Sequence, residues 1–144
     1  MVKEATIDHI LRTTWQAIAR MYNEEGAKFG GSMAIGFALL SIDKEIGTPS
    51  SSISAKMGME ATSFTRTLKT LEEKGLIIKK KNPDDGRGVL VYLTELGKEK
   101  RELSKNTVIK FNDIIKQNIT TEQLNTFFEV AETINELIAS KKIF

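Results

Sequence analysis

GLIIKKKNPDDGRGVLVYLTELG, residues 75–97, decides the fold. Two short runs rich in β-branched residues, 76–80 and 89–94, flank a loop holding Pro83, Asp84, Asp85, Gly86, Arg87 and Gly88. Leu76 and Ile78 alternate on one side, and Val89, Val91 and Leu93 on the other, so each run is expected to bury one face of a hairpin. Lys79, Lys80 and Lys81 lead into the loop, which presents Arg87 beside two carboxylates.

The segment in front of the hairpin, SSSISAKMGMEATSFTRTLKTLEEKG (residues 50–75), reads as two helices around a turn at Gly58. Ile53 and Met57 mark the inner side of the first helix. In the second, Phe64, Leu68 and Leu71 recur at helical spacing and turn one face inward. At about 100° per residue, Thr62, Ser63, Arg66, Lys69 and Thr70 then gather on the opposite side. Gly75 suits the position just past a helix end, where positive φ is tolerated. A helix-turn-helix followed at once by a hairpin is the pattern of a wing that grips DNA.

The flanks are helical. Ile7, Ile10, Leu11, Trp15, Ile18, Met21 and Tyr22 make a stripe that Gly26, Gly30 and Gly31 interrupt. Ser32 is the expected N-cap of a helix through Phe37, Leu39, Leu40 and Ile42, stopped by Gly47, Thr48 and Pro49. Thr94 is expected to cap a long helix reaching about Gln117. Thr120 or Thr121, with Glu122 or Gln123 in capping-box order, opens a last helix whose stripe is Leu124, Phe127, Phe128, Ala131, Ile134, Leu137 and Ile138. Wide apolar stripes at both ends of a chain are commonly buried against each other and against a second copy, so a homodimer is expected; the alternative is that they complete a monomeric core.

Charge follows the same division. The net value of +2 hides a middle of +3 over residues 50–94 and +3 over 98–116, between ends of −1 over 1–49 and −2 over 117–144. A helix fits the major groove, about 12 Å wide, and Arg66 has the fork that pairs with guanine. Thr62 and Ser63 suit bases or phosphates near the helix N-terminus, with Lys69 and Thr70 beside them. Arg87 suits a narrow minor groove, where negative potential concentrates. Asp85, two residues earlier, is placed to orient its guanidinium. Lys79, Lys80 and Lys81 suit phosphates or solvent rather than bases. Trp15, Met21, Tyr22, Met33 and Phe37 are candidates to line an effector cavity, although apolar residues at this spacing more often serve as core.

Other functions lack residues to carry them. With no cysteine and one histidine, His9, the chain offers no thiol chemistry and no multi-histidine metal set. Gly30-Gly31 lacks the pattern of a phosphate loop, and Asp84-Asp85 adjacent in a turn is no acid–base pair. The N-terminal stretch carries Glu4 and Asp8 without an apolar run, so no signal peptide is expected. No stretch reaches the ~20 apolar residues that span a bilayer. The expectation is a cytoplasmic protein, not an enzyme, without cofactor or metal. The competing reading is a winged-helix adaptor that binds another protein, although protein contacts favour aromatic anchors over this Thr/Ser/Arg/Lys face.

These residues, in this order, resemble the MarR family of bacterial transcription regulators. The resemblance is carried by Gly75-Leu76-Ile77, by Asn82-Pro83-Asp84-Asp85-Gly86-Arg87 and by Leu93-Thr94-Glu95-Leu96-Gly97. Upstream, Thr65-Arg66 and Leu71-Glu72-Glu73-Lys74-Gly75 resemble the recognition helix and its end. Lys79 stands where the family often has arginine, and Ser54 replaces a small apolar residue. The resemblance implies a mainly α fold with a small β-hairpin: a winged helix-turn-helix with terminal helices forming a dimerisation region. It divides the chain into a DNA-binding region, 32–97, and a helical dimerisation region, 1–31 with 98–144. It further implies a homodimer on a pseudopalindromic double-stranded operator, with Arg66, Asp85 and Arg87 in the family's recognition-helix and wing positions. A repressor released by a small aromatic effector is the expected behaviour.

Overall fold

The structure, a computed structural model, describes residues 5–84, 86 and 88–144. The chain divides into two compact units, one ending at Asn106 and the other comprising Thr107–Phe144.

In the first unit, α1 (Ile7–Ala27) starts at Thr6, whose hydroxyl accepts the His9 N–H at 3.3 Å. Its far end lies so close to the next segment that a Cβ on Gly26 would sit 3.0 Å from Ser32 backbone atoms. The Asn23 side chain accepts the Met33 N–H at 2.9 Å across that junction. α2 (Met33–Leu40) is capped by Ser32, as its sequence implies. β1 (Thr48–Pro49), α3 (Ser50–Met57) and α4 (Ala61–Glu73) follow, with Gly58 at φ +62° supplying the left-handed residue between the last two. The hairpin is β2 (Ile77–Lys81) and β3 (Val89–Leu93). α5 (Glu95–Asn118) begins in this unit, and α6 (Thr121–Ala139) lies in the second.

The hairpin expected from the sequence is part of a three-stranded antiparallel sheet, ordered β1-β3-β2. β1 pairs Thr48 with Val91 and Pro49 with Leu90. Two residues are too few to show alternation, and the proline sits on an edge strand, where it costs no ladder bond.

One inward assignment is corrected. Ile78 is 48% exposed, whereas Ile77 is buried. Leu76 is not a strand residue: its N–H bonds the Leu71 carbonyl at 3.0 Å, and the Gly75 N–H bonds that of Glu72 at 3.0 Å. These two bonds, with Gly75 at φ +72°, close α4 in a Schellman motif whose last residue turns inward. Strand alternation therefore starts at Ile77, paired with Leu93, and Ile78 falls on the outer face beside Tyr92.

The core of this unit joins Ile35, Ala38, Leu39 and Ile42 to Ile53, Phe64, Leu68 and Leu71, and to Leu76, Ile77, Val91 and Leu93. Met57 packs at its margin. Arg101 of α5 donates from Nε to the Leu39 and Ile42 carbonyls, both at 3.2 Å, and so satisfies the end of α2. Between α2 and β1, the Asp43 carboxylate accepts the N–H groups of Glu45 at 2.8 Å and Ile46 at 3.0 Å.

The second unit comprises the end of α5 and all of α6. Thr120 forms a full capping box with Gln123 at the start of α6. Leu124, Ala131 and Ile134 are half-buried, while Phe127, Phe128, Val130, Leu137 and Ile138 stay exposed and no residue of α6 is buried. Among the described residues no helix is long and apolar enough to cross a membrane.

Two outcomes follow from this packing. A Cβ on Gly97 would collide with the Leu76 carbonyl. Gly97→Ala should therefore lower unfolding stability by about 1–3 kcal/mol, read from urea titrations at constant slope. The two N–H bonds hold the Asp43 carboxyl below its ordinary pKa. Its stabilising effect is thus present above the ordinary value and fades as pH falls through the lowered one. An NMR titration should place Asp43 below free aspartate, and Asp43→Ala should weaken the loss of stability below about pH 4.

Candidate nucleic-acid interface

α4 owes its orientation to Phe64, Leu68 and Leu71, all buried on one side. The opposite side is what the chain shows to solvent. Thr62, Ser63, Arg66 and Lys69 are exposed there, as their spacing predicts. Thr70 is half-buried, and its hydroxyl donates to the Arg66 carbonyl at 3.1 Å, leaving that oxygen only as an acceptor. Glu60 precedes the helix in extended conformation and gives no side-chain cap, so the first-turn N–H groups face outward without one.

The far end of α4 is pinned. Lys74 donates to the Gly30 carbonyl at 3.1 Å, and Lys100 of α5 donates to that of Phe29 at 3.2 Å. Both lysines thus hold the α1–α2 loop. Sequence reading could not find these bonds, because a lysine's partner carbonyl leaves no mark in the pattern of residue types.

Lys79, assigned to DNA from the sequence, has an ion-pair partner within the chain. Its ammonium lies 3.2 Å from the Glu72 carboxylate and ties β2 to the last turn of α4. Lys80, next in line, lies on the opposite face of the strand, with its ammonium 5.1 Å from the centre of the Tyr92 ring. At the hairpin end, the Asn82 N–H bonds the Gly88 carbonyl at 3.1 Å and closes the loop. Asp85 and Arg87, the expected wing pair, lie outside the described residues.

Of the five candidate effector residues, the structure brings two into contact. Tyr22 is buried, and its ring meets Phe37 edge-on with centroids 5.5 Å apart. Burial also pushes the Tyr22 phenol pKa up, so it stays neutral. Met21 and Met33 are half-buried, and Trp15 is 52% exposed on α1.

A helix pair joined at a left-handed glycine, followed by a hairpin paired with a short third strand, defines a winged helix-turn-helix. Residues 32–89 match the model of the MarR family. YdgJ of Bacillus subtilis (strain 168), described as an uncharacterized HTH-type transcriptional regulator, is 32% identical over 80 residues. That stretch covers 56% of this chain and 49% of YdgJ, about half that relative's length. Among solved structures, a complex of S. aureus MepR with DNA superposes with a TM-score of 0.80 at 16% identity, covering 95% of this chain and 98% of that one. PcaV of Streptomyces coelicolor, in complex with its natural ligand, gives 0.79 at 18% identity over 94% and 98% of the two chains. At these identities the likeness establishes the fold.

Proposed function

We propose that the chain is a homodimeric DNA-binding transcription regulator that acts in the cytoplasm as a repressor and is released by a small-molecule effector. The reading assigns it no catalytic role. The observation that carries it is α4: a buried apolar side and an exposed face of Thr62, Ser63, Arg66 and Lys69, in the helix that follows a helix-turn-helix glycine. Such a face matches base edges and phosphates and lacks the large apolar anchors of a protein-binding surface. The DNA in the MepR structure supports the same use of the fold.

Dimerisation is supported by each compact unit separately. In the first, Ile7, Ile10, Leu11 and Trp15 of α1 are exposed; in the second, Phe127, Phe128, Val130 and Ile138 are. Apolar surface of this extent is unfavourable in water and suits burial against a second copy. The proposed dimerisation region is thus 1–31 with 98–144, and the DNA-binding region 32–97. A pair of recognition helices in successive major grooves lies about 34 Å apart and calls for a pseudopalindromic site. Arg87, with Asp85 orienting it, remains the proposed minor-groove contact. The ligand in the PcaV structure supports an effector, and Tyr22 with Phe37 is the place proposed for an aromatic one, beside Trp15, Met21 and Met33.

The decisive experiment is duplex-DNA binding across salt concentrations. Affinity should fall steeply and linearly on logarithmic axes as salt rises. On a duplex selected from a random pool, Arg66→Ala should cost about 1–3 kcal/mol and relax preference at one base position. An equal loss on all sequences would make Arg66 a phosphate contact instead. Light scattering at micromolar concentration should give twice the chain mass, and a monomer would remove the dimer from the reading.

A further inference from the structure

We propose that Lys80 is a phosphate contact held in place by Tyr92, whose ring is seated on Gly47, on the outer face of the hairpin and apart from both α4 and the loop. This rests on the DNA-binding reading and deepens it.

Three observations meet at this point. Register places Ile78 opposite Tyr92 and Lys80 opposite Leu90, so these four share the sheet face turned away from the core. On that face the Lys80 ammonium stands 5.1 Å from the Tyr92 ring centre, within the range of a cation–π contact. Beneath the ring lies Gly47, where an added Cβ would come 2.6 Å from the Tyr92 Cζ atom. The residue before β1 therefore has to be glycine for the ring to lie where it does.

An exposed lysine ordinarily samples many rotamers, and ordering it on a ligand offsets part of the contact. Here the ring face holds the ammonium on one side, while the donors turned away from the ring stay available to an anion. Lys79 is committed to Glu72, so Lys80 is the cation that the middle of β2 presents. Lys80 is one pair below Lys81–Val89, the last rung before the loop, which puts it roughly 3.4 Å along the strand from that rung. That is a suitable height for a phosphate bordering the groove that the loop enters. The sequence shows only three consecutive lysines; the tyrosine that distinguishes one of them comes from the partner strand.

The test is the salt dependence of duplex binding by the full chain. Lys80→Gln should reduce the slope of log K against log salt by about 0.9, the contribution of one phosphate. Tyr92→Leu, with Lys80 intact, should weaken binding at low salt, while Tyr92→Phe, which keeps a ring face, should not. Lys80→Arg should preserve the slope. Circular dichroism melting of each variant separates these effects from loss of fold, and the Lys80 variants, at an exposed position, keep the test open should Tyr92→Leu unfold. An unchanged slope for Lys80→Gln overturns the phosphate contact. Equal binding by Tyr92→Leu and Tyr92→Phe, with Lys80→Gln impaired, overturns the positioning role. If the unaltered chain binds no duplex at low salt, the DNA-binding reading falls and takes this one with it; a slope that ignores Lys80 while Arg66→Ala still weakens binding removes this one alone.

Discussion

The Thr94 hydroxyl donates to the Gly75 carbonyl at 2.6 Å and accepts the Gly97 N–H at 3.0 Å. Its own N–H bonds the Leu76 carbonyl at 3.1 Å. Gly97 must lack a side chain because that same carbonyl occupies the space where a Cβ would go. The end of α4, both feet of the hairpin and the start of α5 therefore meet at four residues, with almost every polar group engaged. A hairpin hinged loosely on α4 would hold its loop at no fixed distance from the exposed face of that helix. This junction removes that freedom, and the spacing Leu-Thr-x-x-Gly is its trace in the sequence.

Such junctions are legible because they demand particular residue types. Gly58 and Gly75 adopt positive φ, Ser32 and Thr120 cap helices, and each was visible as a residue with a specific conformational use. The outward face of α4 was visible for a related reason, since Phe64, Leu68 and Leu71 fix its rotation. The errors arose where local pattern was ambiguous. Leu76 and Ile78 alternate as strand residues should, but the Schellman bond from Leu76 to Leu71 claims the first for the helix end and shifts the phase. β1 is two residues long and owes its existence to pairing with Val91 and Leu90, so nothing local announces it. The partners of Lys74, Lys79, Lys100 and Arg101 come from other elements, which no spacing rule reaches.

Net charge is a poor guide to what these cations do. The surplus over residues 50–94 contains Lys79, neutralised by Glu72, and Lys74, spent on the Gly30 carbonyl. The surplus over 98–116 contains Lys100 and Arg101, both donating to backbone carbonyls, and Lys98, 3.4 Å from Glu95. Much of the positive charge in the middle of the chain thus holds the fold together. Over residues 50–94, Lys56, Arg66, Lys69, Lys80 and Lys81 are exposed with no carboxylate ion pair among the described residues.

The same cross-element bonds set terms for any effector. A ligand shifts DNA binding only as far as it prefers one arrangement of the chain over another. Within the first unit, α1 meets α2 at the Tyr22–Phe37 ring pair, the Asn23–Met33 bond and the close approach at Gly26, among other contacts. The loop that follows is held by Lys74 from α4 and Lys100 from α5. Lys100 and Arg101 are adjacent on α5, so the first turns of that helix are bound to both the loop and the end of α2. Tyr22 is thus linked to α4 in two ways: through Phe37 on α2, whose neighbours Ala38 and Leu39 pack in one core with Phe64 and Leu68, and through the lysine bonds to the carbonyls of the α1–α2 loop.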